Sequence, residues 1–192
     1  MSGEPAPELV GALLDAQRLG FLGSRPISEV IEHARGFVRA LEGVGPIVSV
    51  LDLGSGGGVP GLVIAHDLPA THLTLLDRRA KRTDVLERVV RRLGWQDRVS
   101  VRCEDVTTFS PDELFDAVVA RGFGPPEFTL AAAARLVRSG GSIVISEPPD
   151  ADRWDPSMLE ALGLHRSGNS IAPRGSDDTT ELDGLVVVFV KL

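Results

Sequence analysis

The chain has 192 residues, 20 Lys and Arg against 27 Asp and Glu, and a formal net charge of -7 at pH 7. Hydrophobic residues at 43% and charged residues at 24% exclude a disordered chain, and the single cysteine, Cys103, excludes an intramolecular disulfide or a cysteine zinc cluster. The acidic total argues against a phosphate-rich partner. The lack of a basic, apolar leader and of any aliphatic run longer than Leu185 to Val190 predicts a cytoplasmic protein with no membrane span.

Residues 5 to 42 read as two helical stretches. Leu9, Leu13, Leu14 and Ala16 recur at helical spacing in the first. A turn-rich segment, Gly20 to Pro26, follows. The second carries Val30, Ile31, Ala34, Phe37, Val38 and Leu41, with Ser28 as a candidate cap. Gly43 to Pro46 breaks the chain. This predicts an N-terminal helical extension over residues 1–46 and a second unit over residues 47–192.

From there strands and helices alternate. Val48–Leu53 is a short apolar run ended by glycines, hence a buried strand. Gly61–His66 starts a helix, and His72–Asp77 is a second strand. Arg79–Leu93 is a helix with Val85, Leu86, Val89, Val90 and Leu93 on one face. Val99–Cys103 and Phe115–Ala120 are the third and fourth strands. Glu127–Val137 is an alanine-rich helix ended by Gly140–Gly141, and Ser142–Ser146 is a further strand. Pro156–Leu162 is a short helix before a stretch rich in Gly, Asn, Ser and Asp. Gly184–Lys191 is the last strand, expected to run antiparallel after a loop around residues 171 to 183, in which Ser176–Glu181 is polar. Near-continuous apolar strands separated by helices predict an α/β fold: a mostly parallel sheet with helices on both faces.

The strongest local signal is Leu51-Asp52-Leu53-Gly54-Ser55-Gly56-Gly57-Gly58-Val59-Pro60-Gly61. Glycines after a buried strand let the backbone turn tightly and approach a ligand. Gly56-x-Gly58-x-x-Gly61 fits a dinucleotide fingerprint, with a pyrophosphate at the helix N-terminus. Gly54-x-Gly56-x-Gly58 behind Asp52 fits the S-adenosylmethionine loop of class I methyltransferases. The acidic residue separates the two readings: a carboxylate repels phosphates but attracts a sulfonium and an α-ammonium. Asp77 ends the second strand, 23 residues after Gly54, where a carboxylate can accept both ribose hydroxyls of either cofactor. Glu104 and Asp105 end the third strand, where one carboxylate can accept the adenine amino hydrogens. A tight turn with no ligand is the plain alternative.

Val50 to Phe109 resembles the small-subunit ribosomal RNA guanine-N7 methyltransferase family, also called glucose-inhibited division protein B. The resembling pieces are Asp52 to Gly61 with its Val-Pro-Gly, Leu73 to Asp77, and Lys81-Arg82 with Leu86. Phe115 to Phe123 is similar to the family's strand ending in Ser-Arg-Ala, and Ile31-Glu32-His33 to its upstream His-Ile segment. The resemblance covers about residues 28 to 146. Three features depart from the family pattern: Ser146-Glu147-Pro148-Pro149 replaces a Lys-Gly, Asp105 stands where a basic residue is expected, and the longer N-terminal region with its Asn-Leu-Thr is missing. The resemblance implies a Rossmann-like seven-strand sheet, S-adenosyl-L-methionine as cofactor, and ribosomal RNA or the small ribosomal subunit as partner.

Guanine N7 carries no proton, so its methylation needs no obligatory general base, and no catalytic dyad is expected. Arg121, after the fourth strand, is the candidate catalytic and acceptor-contacting residue; an ion pair with Glu147 is its structural alternative. Phe123 is a candidate for stacking on a base, or for packing under the loop. The four histidines, at 33, 66, 72 and 165, read as surface or packing residues, with His33 the one worth testing. No metal site is expected.

The charge is uneven. Between Arg78 and Arg102 nine basic residues face three acids, a net of +6, which leaves -13 for the remainder. Arg88, Arg91 and Arg92 form a candidate phosphate-binding stripe on the helix; i,i+4 pairing, Asp84 to Arg88 and Glu87 to Arg91, is its plain reading. A small-molecule methyltransferase and a non-catalytic cofactor-binding partner protein are the alternative functions.

Overall fold

The computed structural model describes residues 5–147, 154–171 and 185–192. Thirteen elements follow in order: α1 Pro7–Arg18, α2 Ile27–Gly43, β1 Ser49–Leu53, α3 Gly61–Asp67, β2 His72–Asp77, α4 Ala80–Arg92, β3 Val99–Cys103, β4 Phe115–Ala120, α5 Pro126–Leu136, β5 Val137–Glu147, α6 Pro156–Ala161, β6 Leu164–Ile171 and β7 Leu185–Lys191. The strands form one seven-stranded sheet in the order β3-β2-β1-β4-β5-β7-β6. β7 runs antiparallel to both of its neighbours, and the other pairings are parallel.

Successive strand residues point to opposite faces, and the core divides accordingly. Val50, Leu73, Leu75, Ala117 and Val119 pack with α1, α2, α3 and α4 on one face. Leu51, Leu53, Leu76, Val118 and Ala120 pack with α5 on the other. The N-terminal helices therefore belong to the same apolar cluster as the sheet. Arg35 of α2 donates to Asp67 at the end of α3 at 3.1 Å, and both side chains are nearly buried.

Three expectations need correction. Ser28 does not cap α2: the helix begins at Ile27 behind Pro26 with no side-chain cap, so Ser28 sits in the first turn. Gly140 and Gly141 do not end a helix. They lie inside β5, where the register with β4 shifts between Phe115 and Ala117; Gly140 has φ +73°, and a Cβ on Gly141 would lie 2.7 Å from the Asp116 carbonyl oxygen. Leu164–Ile171 is an edge strand, although its polar composition hides the usual alternation. The polar segment Ser176–Glu181, the expected loop around residues 171 to 183 beyond Ile171, and Pro148-Pro149 lie outside the described residues.

Candidate functional site

The strand order reverses at β1, which has β2 on one side and β4 on the other. Ligands of open α/β sheets bind at such a reversal, beyond the carboxyl ends of the strands. Leu53 pairs with Leu76 of β2 and with Ala120 of β4, so the segments after these three strands emerge side by side. They are the glycine loop, Asp77 with its successors, and Arg121-Gly122-Phe123.

Gly54, Gly56 and Gly58 adopt φ of +68°, +54° and +93°, a left-handed backbone that side chains disfavour. The N–H groups of Gly54 and Ser55 both donate to the Leu76 carbonyl, at 2.8 and 3.0 Å. Asp77, 5% exposed, binds the loop from the other strand: one oxygen accepts from the Gly56 N–H at 3.0 Å, the other from the Arg79 N–H at 2.9 Å. Arg82 reaches the same carboxylate at 3.4 Å. Oδ2 takes both the Gly56 and Arg82 contacts, so the remaining acceptor capacity for a ligand hydroxyl is at Oδ1.

Asp52 lies beneath the loop, 1% exposed. One of its oxygens accepts from the Gly61 N–H at 3.1 Å, and Oδ1 has no hydrogen-bond partner among the described residues. Burial is the main cause that pushes its pKa up to about 7; contacts with Ser55 and Gly61 and the charge of Arg121 pull the other way. Burial disfavours the charged form of this carboxyl, and a cation placed above the loop would favour it.

Two cavities open on either side of Gly54. The first, about 390 Å³, is lined by Asp77, Glu104, Asp105, Arg82, Phe123 and Phe128 among others. Phe123 rests on the loop, so that a Cβ at Gly54 would be 2.5 Å from its ring. It stacks on Phe128 with centroids 5.9 Å apart. Phe123 thus faces the nucleoside-sized cavity beside Asp77. Asp105 accepts from the Thr107 N–H and hydroxyl at 3.0 and 2.7 Å, and these bonds are the main reason its pKa lies below the usual range. Glu104 is exposed on the same rim.

The second cavity, about 510 Å³, is lined by Arg25, His33, Arg82, Arg121 and Glu147, with the glycine loop as floor. Arg121 is half-buried, and its Nε donates to the Val59 carbonyl at 3.3 Å. Glu147 accepts from the indole N–H of Trp154 at 2.5 Å. Burial most strongly lowers the Arg121 pKa; Asp52 opposes this and Arg25 adds to it.

Sequence reading missed the contribution of the turn between α1 and α2. Leu22 covers Gly57, whose Cβ would lie 2.6 Å away, and Phe21 lies 5.8 Å from the Arg82 guanidinium. Only tertiary packing brings this turn to the loop. Gly20, Gly23 and Pro26 were its one sequence signal. Conversely, Arg88, Arg91 and Arg92 are not brought to either cavity. They lie about 12 to 18 Å along α4 from Ala80 at 1.5 Å per residue. Arg91 pairs with Glu87 at 3.8 Å and Arg92 with Asp15 at 3.7 Å, all exposed. His66 bonds Asp67 at 2.6 Å, while His33 lines the second cavity and lies 6.0 Å from the Phe37 ring.

Among the described residues no group of three or more His, Cys, Asp or Glu could hold a metal ion, and no helix is long and apolar enough to cross a membrane.

Residues 13–147 match the family model described as rRNA small subunit methyltransferase G. The chain is 45% identical over 99 residues to a ribosomal RNA small subunit methyltransferase G of Synechococcus sp. (strain CC9902), covering 50% of this chain and 41% of that protein. It is 34% identical over 119 residues to the one from Methylococcus capsulatus, covering 61% and 58%. The chain spans about half the length of the curated relatives it matches. Among solved structures, the N-methyltransferase NodS from Bradyrhizobium japonicum WM9 in complex with S-adenosyl-l-homocysteine superposes with TM-score 0.60 at 19% identity, covering 93% of this chain and 97% of NodS.

Proposed function

The chain belongs to the rRNA small subunit methyltransferase G family, and on that premise we propose that it moves the methyl group of S-adenosyl-L-methionine to N7 of a guanine in small-subunit ribosomal RNA. The observation that carries this reading is the left-handed glycine loop at the strand-order reversal, held between the buried carboxylates of Asp52 and Asp77. The residues present fit the donor. Asp77 would accept the ribose hydroxyls, and Glu104 or Asp105 the adenine amino hydrogens. Phe123 and Phe128 give the cavity an aromatic wall. Asp52, whose Oδ1 has no hydrogen-bond partner among the described residues, would attract positive charge towards the loop from below when ionised.

The donor supplies a methyl group already activated as a sulfonium, so the protein's task is alignment. Guanine N7 attacks through a lone pair, and no residue has to remove a proton. The second cavity, lined by Arg25, Arg82 and Arg121 with His33 and Glu147, can then act by orienting the acceptor. Arg121, fixed through Val59, would orient the acceptor. The N-terminal extension, residues 1–46, would act as a cap whose turn closes over the loop, and residues 47–192 as the methyl-transfer unit. The partner is accordingly ribosomal RNA or the small ribosomal subunit, and the site of action the cytoplasm.

Calorimetry with S-adenosylmethionine and with NADH tests the donor assignment. The expected result is binding of the methyl donor and none of NADH; the reverse pattern would overturn the reading.

A further inference from the structure

We propose that Arg135 of α5 is a positioning residue for the donor's purine: it fixes the turn after β3 so that Asp105 accepts the amino hydrogen of adenine. Arg135 itself lines neither of the two cavities described above. The proposal rests on the methyltransferase reading and deepens its donor site.

The turn after β3 does not satisfy its own backbone. The N–H groups of Thr108 and Phe109 both donate to the Asp105 carbonyl, at 3.1 and 3.0 Å. Asp105 caps the same turn through Oδ1, which accepts from the Thr107 N–H and hydroxyl. A single helical turn leaves its later carbonyls without partners along the chain. The Arg135 guanidinium serves two of them. Its Nη1 donates to the Phe109 carbonyl at 3.0 Å, and its Nη2 to the Val106 carbonyl at 2.5 Å. The turn is thus held at one end by Asp105 and at the other by Arg135.

Arg135 leaves from an anchored backbone. Lys191 of β7 donates through Nζ to the carbonyls of Ala134 and Val137, at 2.8 and 2.9 Å, which ties the end of α5 to the sheet. Phe128, seven residues earlier, lies on the same face of the helix. It lines the first cavity and stacks on Phe123. One helix therefore carries both the aromatic wall of the donor cavity and the clip on its acidic rim. Val106 and Phe109 share an apolar cluster with Leu130 and Ala134 of α5. Apolar contact is non-directional, whereas the guanidinium fork fixes orientation.

The rim suits an amino group. Asp105 lines the first cavity, and its Oδ2 stands 3.8 Å from Arg78. The carboxylate retains lone pairs for one more donor. Adenine offers an amino group there. Hypoxanthine offers a carbonyl oxygen, which a carboxylate repels. Such a contact discriminates only where the acceptor is held in place, so base choice depends on the turn. Glu104, exposed on the same rim, is the competing acceptor.

The test uses the full chain and calorimetry with S-adenosylhomocysteine and its 6-oxo analogue, S-inosylhomocysteine. The unsubstituted chain should bind the adenosyl ligand about tenfold or more tightly than the inosyl one. Arg135 is exposed on a helix that tolerates Met and Ala, so both variants should fold. Arg135→Met and Arg135→Ala should each cut the ratio about threefold or more. Arg135→Lys should restore part of it, since an ammonium can reach two carbonyls as Lys191 does. Asp105→Asn should cut the ratio as well, and adding Arg135→Met to it should cost nothing further, because both act through one contact. A purely structural Arg135 would lower the melting temperature, or weaken both ligands by one factor, with the ratio unchanged. An unchanged ratio in either Arg135→Met or Arg135→Ala overturns the proposal. So does an unsubstituted chain without base preference, or an Asp105→Asn variant that keeps it. Failure of the unsubstituted chain to bind either ligand would instead overturn the methyltransferase reading.

Discussion

Asp52 and Gly61 close the glycine loop on itself: the carboxylate at the end of β1 accepts the N–H that opens α3, at 3.1 Å, across the intervening turn. The contact is fully buried, and it couples the loop to pH. The Asp52 pKa is raised from 3.8 to about 7, chiefly by burial. Between those values the folded chain keeps a proton that the unfolded chain releases, so this group's contribution to stability falls as pH rises from about 4 to about 7 and is flat above. The difference is expected to be about 2–4 kcal/mol at most. Urea midpoints at pH 5 and pH 8 should show this loss in the natural chain and much less of it in Asp52→Asn. Equal pH dependence in the two would show that Asp52 does not titrate in this window.

Asp77 serves both the loop and the proposed donor. Asp77→Ala leaves the buried Gly56 N–H without its acceptor, at a cost of about 1–3 kcal/mol. It also removes the acceptor for the ribose hydroxyls, so donor binding should fall below detection by calorimetry. The Asp52→Ala change should weaken donor binding without abolishing it. A thermal melt run beside each titration separates lost binding from lost folding.

Gly58 has no room for a side chain. Its φ is +93°, and an added Cβ would lie 2.4 Å from Leu62 Cδ1. The Gly58→Ala variant should lose about 1–3 kcal/mol from the backbone conformation alone, with the clash adding to it. Gly94, also left-handed at φ +67° but with nothing within 4 Å, is the comparison. Gly94→Ala should be the milder of the two in thermal melts, and a reversed order would contradict the packing described for the loop.

Arg88, Arg91 and Arg92 stand away from both cavities, so a role in RNA binding would be one of distant phosphate contact. Each such contact contributes about 0.7–0.9 to the slope of log affinity against log salt. Charge reversal at all three should flatten that slope by about two units for a long RNA, yet leave guanosine bisphosphate binding unchanged. An unaltered slope would assign the stripe to a solvated helix face, which the exposed pairs Arg91–Glu87 and Arg92–Asp15 already resemble.

Much of this architecture was legible in the chain because local chemistry and tertiary role coincide. The apolar runs at Val50–Leu53, Leu73–Leu76 and Ala117–Ala120 are buried almost throughout and so carry a near-continuous signal, broken only by Asp52 and the half-buried Thr74. Asp52 and Asp77 stand out as acids at the ends of such runs. Leu164–Ile171 was not legible, because an edge strand pairs on one side only and tolerates a polar sequence. Gly140 and Gly141 mimic a helix stop, but serve a register shift that only the neighbouring strand requires. Arg25 was invisible for a different reason: nothing in its local sequence marks it, and the packing of Leu22 on Gly57 decides where it lies. Phe123 was read as stacking on a base or packing under the loop, and its ring packs on Gly54 beside Asp77.

The central claim is methyl transfer to ribosomal RNA, and isotope transfer with base mapping tests it most directly. The purified chain is incubated with methyl-labelled S-adenosylmethionine and small ribosomal subunits or their RNA, and the labelled nucleotide is identified by mass mapping. The account predicts label on N7 of a guanine, lost with Asp77→Ala and strongly reduced with Arg121→Ala. Label confined to small molecules, or no transfer by a chain that binds the donor, would contradict it.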